Sequence, residues 1–285
     1  MSKLNKPLVS IITPSYNQGN FIEENIISIK NQCYDNVEHI IIDAKSQDNT
    51  KTILKKYENS YNLKWISEKD KGQAHAINKG IKMANGKIIG WLNSDDVYIH
   101  ENVFDNIVKT FLNNKIDIVY GNALKIDENN NLKRIDIPPK YDFNLLKKWC
   151  YIVQPTVFFK SKVLKNNLLN IDLDYSIDYE LWLRIGQKYY WYYLDDFIAG
   201  DRNHKNRKIV KNISESKKET RTLQANYKNH NTLYNIYEKY LKLYLRLKGL
   251  YKYTSISNNN IINIKKKISF KFLINQLFGN NSNFL

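Results

Sequence analysis

Over residues 9–92, short apolar runs alternate with amphipathic stretches, and few architectures accommodate that alternation. The runs are residues 9–14, 37–42, 63–66 and 88–92. Between them, apolar residues recur every three or four positions. The first stretch carries Phe21, Ile22, Ile26 and Ile29, the second spans residues 52–57, and the third carries Ala74, Ile77, Ile81 and Ala84. Gly72 opens this third stretch and Asn85-Gly86 stops it. Buried strands joined by helices at this spacing imply βαβ units and a largely parallel sheet, an α/β fold. Each run ends in a polar loop: residues 14–17, Asp43, residues 68–73 and residues 93–96. Ligands of open α/β sheets bind beyond the carboxyl ends of the strands, so four such loops on one edge describe a nucleotide-sized crevice. No GxGxxG pattern follows the first run and there is no P-loop, so a diphosphate there would need a metal to meet its charge.

Beyond residue 100 the same reading continues. Residues 101–111 and 178–185 read as helices, and 116–120 and 191–194 as strands. Residues 124–126 and 132–135 flank Asn129-Asn130-Asn131 as a hairpin. Residues 154–159 read as a strand entered through a constrained turn, and residues 200–204 as a polar loop. Asp95 and Asp96 follow the fourth apolar run directly. Paired carboxylates at a strand end suit a hard cation such as Mg²⁺ or Mn²⁺, and a turn capping the next helix is the alternative. Asp178 stands at a helix start, where an N-cap and a catalytic carboxylate are both open.

Charge divides the chain in two. Net charge is +16 over 285 residues, yet residues 206–285 hold 16 Lys and Arg against three acids, Glu215, Glu219 and Glu238. We therefore expect residues 1–205 to form one region and 206–285 a basic, mainly helical one. Leu233, Tyr237, Tyr240, Tyr244, Leu247 and Tyr251 form a helical seam, although Leu241, Leu243, Leu245 and Leu247 also alternate as a strand would. A basic amphipathic helix with interfacial aromatics suits an anionic membrane surface; packing on the first region, or self-association into a homo-oligomer, are the alternatives. No run approaches a membrane span, and Met1 leads straight to a strand-like run, so neither an anchor nor a leader is expected. Two cysteines in unrelated contexts, Cys33 and Cys150, fit a reducing cytoplasm. Nucleic acid is not expected as a partner, because the charge lies in one tail and no recognition motif accompanies it.

The ordered set VSIITPSYN (9–17), EHIIIDAKSQDNT (38–50), EKDKGQAHAINKG with GWLNSDD (68–96), QPTVFF (154–159), DYELWLR (178–184) and DRNH (201–204) resembles the family 2 glycosyltransferases of bacterial surface-polysaccharide synthesis. The resemblance covers residues 7–205 and implies the GT-A fold, a mixed, mostly parallel Rossmann-like sheet. It implies a nucleotide-sugar donor, UDP-linked, and a glycan or lipid-linked acceptor. By the same resemblance Pro14, Tyr16, Asn17, Asp43, Lys71, Gly72, Gln73, Asn93 and Asp95 hold the donor, and Asp95, Asp96 and His204 hold Mn²⁺ or Mg²⁺. Asp178 matches the catalytic base of an inverting transfer, and Gln154, Trp182 and Arg184 are candidates for the acceptor side. For Trp182 a core position is the alternative, and for Arg184 an ion pair. Three positions depart from the family pattern: Asn93 where an Asp is usual, Ile177 where a Glu is frequent, and Ala44-Lys45 where two small residues follow Asp43. The competing functions are a nucleotide-sugar-binding or nucleic-acid-binding protein without transferase activity.

Overall fold

The structure is a computed structural model that describes residues 6–227, 232–253 and 276. In chain order its elements are β1 (Val9–Ser15), α1 (Ile22–Lys30), β2 (Val37–Asp43), α2 (Thr50–Tyr57), β3 (Leu63–Ser67), α3 (Gln73–Met83), β4 (Ile88–Trp91), β5 (Val97–Tyr98), α4 (Val103–Phe111), β6 (Ile118–Ile126), β7 (Leu132–Asp136), α5 (Phe143–Leu146), β8 (Phe158–Lys160), α6 (Ser161–Lys165), α7 (Ile177–Ile185), β9 (Trp191–Arg202), α8 (Lys208–Lys211), α9 (Ile213–Ala225) and α10 (Thr232–Tyr253). The described strands form one sheet in the order β3-β2-β1-β4-β8-β6-β9-β5, with β7 paired to β6. Strands β3, β2, β1 and β4 are parallel. Strand β8 is antiparallel to both β4 and β6, so it joins that block to a second one built on the parallel pair β6 and β9. The sheet is therefore mixed.

The central strand β1 is buried along its whole length. Its side chains alternate between two cores. Ile12 packs with Ile77 and Ile81 of α3, whereas Val9 and Ile11 pack with Phe104 and Ile107 of α4. Fully enclosing one such isoleucine contributes about 1.5–3 kcal/mol. Gly80 lets α3 lie directly on the sheet, since a Cβ there would stand 2.4 Å from the Ile12 side chain.

Three local readings change, and one element is new. Residues 154–156 form a 3-10 turn, and only β8 beyond them is extended, because the Gln154 side chain turns back to the β4 carbonyl end. Residues 116–120 and 124–126 belong to one strand, β6, which also carries the predicted hairpin with β7. Strand β9 runs on to Arg202, so Asp201 and Arg202 are strand residues paired with β6 and not part of an exposed loop. The two-residue β5 was too short to show a period. Of the C-terminal seam, residues 232–253 form the helix α10. The tail beyond residue 253, including Lys265-Lys266-Lys267, residues 268–272 and residues 277–285, lies outside the described residues except for Gln276.

Candidate active site

The loop after β4 is held from two sides. The buried Asn25 of α1 donates to the carbonyls of Asn93 and Asp96, each at 2.9 Å. Asn93 is the hub of the other side. The Trp91 indole N–H can only donate, so its contact at 2.9 Å identifies the Asn93 Oδ1 acceptor. Gln73 Nε2 donates to the same oxygen at 2.8 Å. Asn93 Nδ2 then donates to Gln154 Oε1 at 3.0 Å, and Gln154 Nε2 donates to the Trp91 carbonyl at 2.6 Å. An aspartate at residue 93 would lack the donor that this chain of bonds requires, so the departure from the family pattern is built into the local structure.

Asp96 is fully buried. Its Oδ1 accepts from the Arg202 backbone N–H at 2.9 Å, and Asn93 Nδ2 lies 3.4 Å from Oδ2. Burial, and then the charges of Asp95 and Asp201, push its carboxyl well above the usual carboxylate range. Asp95 Oδ2 meets His204 Nε2 at 3.0 Å. The His204 ring packs on Phe21, and its Nδ1 is buried with no hydrogen-bond partner among the described residues. Arg202, buried to 0% exposure, ties this corner together: it donates to the Asp95 carbonyl, to Asn130 Oδ1 and to Glu24. Clustered carboxylates and an unspent imidazole nitrogen fit a divalent cation. No three acidic, His or Cys groups converge among the described residues, so a cation would draw further ligand atoms from a bound diphosphate.

A cavity of about 510 Å³ opens beside this corner. Gln73, Asn93 and Gln154 line one part, and Asp178, Asp201 and Arg207 another. Asp178 is the second residue of α7, whose N-cap is Ser176, so Asp178 does not cap the helix. Its carboxylate accepts from the Tyr179 N–H at 2.8 Å, and desolvation raises its pKa to about 6. Asp201 behaves in the opposite way. Burial opposes its charge, but Arg207 and Lys125 outweigh burial and hold it at about 2. Two neighbouring acids are thus set apart, one poised to exchange a proton near neutrality and one locked as an anion. The loop before Asp178 is fixed by Glu219 of α9, whose carboxylate accepts from the backbone N–H groups of Asp174, Tyr175 and Ser176.

The remaining candidates fall into three groups. The first strand ends are bonded to one another: Asn17 N–H donates to Ser46 Oγ at 2.8 Å, and Ser67 Oγ donates to Asp43 Oδ2 at 2.6 Å. Asp43 is fully buried and also accepts from Ser46, so its carboxylate organises this rim from inside it. Pro14 pairs with Ile42 in the sheet, and Tyr16 is 59% exposed above it. Lys71 is exposed, and Gly72, at φ 107°, turns the chain into α3 so that Gln73 reaches Asn93. Trp182 does not reach the cavity: it is a fully buried core residue stacked on Phe159 and set edge-on to Trp191. Arg184 is spent on Glu180 at 2.7 Å and the Leu168 carbonyl at 2.8 Å. Of the three acceptor-side candidates, Gln154 alone lines the cavity. Asp201, Arg207, Lys125 and Glu219 were missed by sequence reasoning. Asp201 stood in the DRNH motif without a role assigned to it, Glu219 was one of three acids in a strongly basic region, and Arg207 and Lys125 left no signal.

The sequence signature of Glycosyl transferase family 2 matches residues 10–172. The chain belongs to this family. As a family 2 glycosyltransferase it is 35% identical over 178 residues to the Escherichia coli UDP-Glc:alpha-D-GlcNAc-diphosphoundecaprenol beta-1,3-glucosyltransferase WfgD, covering 62% of this chain and 69% of the relative. It is 32% identical over 183 residues to the E. coli enzyme WfaP of the same description, covering 64% and 71%. Among solved structures, S. aureus TarS 1–349 in complex with UDP-GlcNAc superposes with a TM-score of 0.60 at 19% identity, covering 95% of this chain and 79% of TarS. The mannosyltransferase PcManGT of Pyrobaculum calidifontis, in complex with GDP-Man and Mn²⁺, gives 0.59 at 17% identity, covering 89% and 77%. These likenesses establish the GT-A fold of the family 2 chain.

Proposed function

We propose that this family 2 glycosyltransferase is an inverting, metal-dependent enzyme. It would move a sugar from a nucleotide donor, UDP-linked, to a hydroxyl of a lipid-linked GlcNAc-type acceptor in surface-polysaccharide assembly. The observation that carries the reading is the shared cavity, in which Asp178 and the Asn93–Gln154 hub line the same space. The descriptions of WfgD and WfaP support the donor and acceptor classes. The Mn²⁺ of PcManGT supports the metal.

Asp178 takes the proton of the acceptor hydroxyl as that oxygen bonds to the anomeric carbon. The bond from that carbon to the diphosphate breaks on the opposite face, and the nucleoside diphosphate leaves. A carboxylate of pKa about 6 is ionised at neutral pH yet basic enough to share a proton in the transition state. Asp95, Asp96 and His204 do not close a ligand set by themselves among the described residues, so they would hold Mn²⁺ or Mg²⁺ only together with a bound diphosphate, to which the cation would supply positive charge. Pro14, Tyr16, Asn17, Asp43, Lys71, Gly72 and Gln73 would form the base and ribose side. Nucleotide-sugars screened for Mn²⁺-dependent binding and slow hydrolysis test the donor assignment; absence of both across UDP- and GDP-sugars contradicts it.

For the C-terminal region we propose contact with an anionic membrane surface, on the cytoplasmic face. Tyr237, Tyr240, Leu243, Tyr244, Leu247 and Tyr251 of α10 are exposed. Among the described residues no helix is long and apolar enough to cross a membrane. Sedimentation with phosphatidylglycerol vesicles, absent with phosphatidylcholine vesicles, is the expected result. Equal sedimentation with both, or with neither, contradicts it.

A further inference from the structure

Three residues that line the cavity, Tyr175, Ile177 and Asp178, come from one short segment at the start of α7. That segment is gripped from the basic C-terminal region. We propose that Glu219 of α9 is a positioning residue for Asp178, so that α9 completes the active site, a proposal that rests on the transferase reading above.

The grip is made on backbone. The Glu219 carboxylate accepts from the Asp174 N–H at 3.0 Å, from the Tyr175 N–H at 2.9 Å and from the Ser176 N–H. Three successive N–H groups turned to one anion form a concave nest, which holds the chain to one course. Ser176, the N-cap residue of α7, is held a second time, its Oγ lying 2.8 Å from Thr220 Oγ1. Helix α8 adds to the hold, because Lys208 pairs with Asp174 and its ammonium lies 5.0 Å from the Tyr175 ring centre. Asp178 follows two residues after Ser176, so these bonds set where α7 starts and where its second residue stands.

Helix α9 is itself anchored. Ser216, Glu219, Thr220, Leu223 and Gln224 form its one half-buried side, and its other residues are exposed. Leu223 packs against the core that contains Ile177 and Trp182, and Gln224 Nε2 donates to the Lys148 carbonyl at 2.9 Å. A carboxylate suits the task at residue 219 and an amide does not. Its two oxygens accept all three bonds, whereas a Gln side chain offers one oxygen and turns an NH₂ group toward N–H donors. Desolvation is the largest influence on Asp178; Asp201 and Arg207 also act on it from the cavity, and the Cys150 thiol senses its charge. The hydrogen bonds of Glu219 go to backbone N–H groups, so loosening them acts on Asp178 by admitting water to it.

The test compares the full chain with Glu219→Gln and with Glu215→Gln, which removes a charge from the exposed side of the same helix. Turnover, UDP affinity and the titration of the Asp178 carboxyl are read for each, the last by NMR of labelled aspartate carboxyls assigned with Asp178→Asn. Glu219→Gln is expected to lower kcat by roughly tenfold at unchanged UDP affinity, and to move the titration from near 6 toward the ordinary carboxylate range. Thr220→Val removes one bond of the grip and acts in the same direction, by about two- to threefold on kcat. Glu215→Gln changes none of these. An unmoved titration in Glu219→Gln, or in Thr220→Val should the first variant not fold, overturns the proposal, as do equal changes in Glu215→Gln. A chain that transfers no sugar, or that transfers it undiminished in Asp178→Asn, counts against the transferase reading alone, because the carboxyl titration still decides whether Glu219 positions Asp178.

Discussion

The two halves of the sheet satisfy their buried polar groups in different ways. In the β3-β2-β1-β4 block, Ser10 donates to Glu38, His39 sits between Thr13 and Tyr61, and Asp43 accepts from serines. The donors in these bonds are neutral, although Glu38 also meets Lys64 at 3.5 Å, and the Asp43 bonds are the ones at the carboxyl-end rim. In the β6–β9 block and the segments packed on it, Asp201 meets Arg207, Arg134 meets Asp136, and Arg202 meets Glu24. Full charges stand in pairs there, and of them Asp201, Arg207, Arg134 and Asp136 line the cavity. A half built on neutral bonds serves as scaffold. A half built on paired charges can respond when a charged ligand enters, because low dielectric magnifies each added charge.

Substitutions that bear on this contrast differ in the size of their expected effect. Asp178→Asn lowers transfer by about 10²–10⁴-fold and leaves nucleotide binding intact, read by turnover and nucleotide titration. Asn93→Asp sets a second carboxylate against Asp96 and removes the donor to Gln154; it costs about 1–3 kcal/mol, read by denaturant unfolding. Glu219→Gln weakens the grip on residues 174–176. It costs about 1–2 kcal/mol and lowers turnover more than it alters nucleotide affinity.

The pH effects are smaller and opposite in sign in the two halves. Asp178 has a folded pKa of about 6, above its unfolded value, so its ionisation costs stability as pH rises toward and past 6. Asp178→Asn therefore stabilises the chain by about 1–2 kcal/mol at pH 8 and hardly at pH 4, read as the difference between the two thermal scans. His39 is pushed down to about 3 by burial, so its contribution is complete above pH 6.5 and is lost as pH falls from there toward 3. His39→Gln should flatten the melting-temperature profile in that window.

The same contrast explains what the sequence disclosed. The first half is made of neighbouring strands joined by local helices, so periodicity alone located β1 to β4 and the polar loops between them. The second half pairs strands distant in sequence, β4 with β8 and β6 with β9, and no local pattern announces such pairs. For that reason residues 200–204 read as a loop, although Arg202 is among the most buried side chains. Asp178 was legible as a carboxylate at a helix start. Its raised pKa was not, because desolvation comes from residues distant in sequence. Trp182 looked equally suited to core and cleft by composition, and only the stacking of Phe159 and Trp191 around it decides for the core.

The most direct test of the account is the pH dependence of kcat/KM for sugar transfer, measured with wild-type chain and with Asp178→Asn. The account predicts a wild-type acid limb with an apparent pKa near 6, and an Asp178→Asn rate lower by about 10²-fold or more with that limb gone. An Asp178→Asn variant that keeps both the rate and the limb would contradict it.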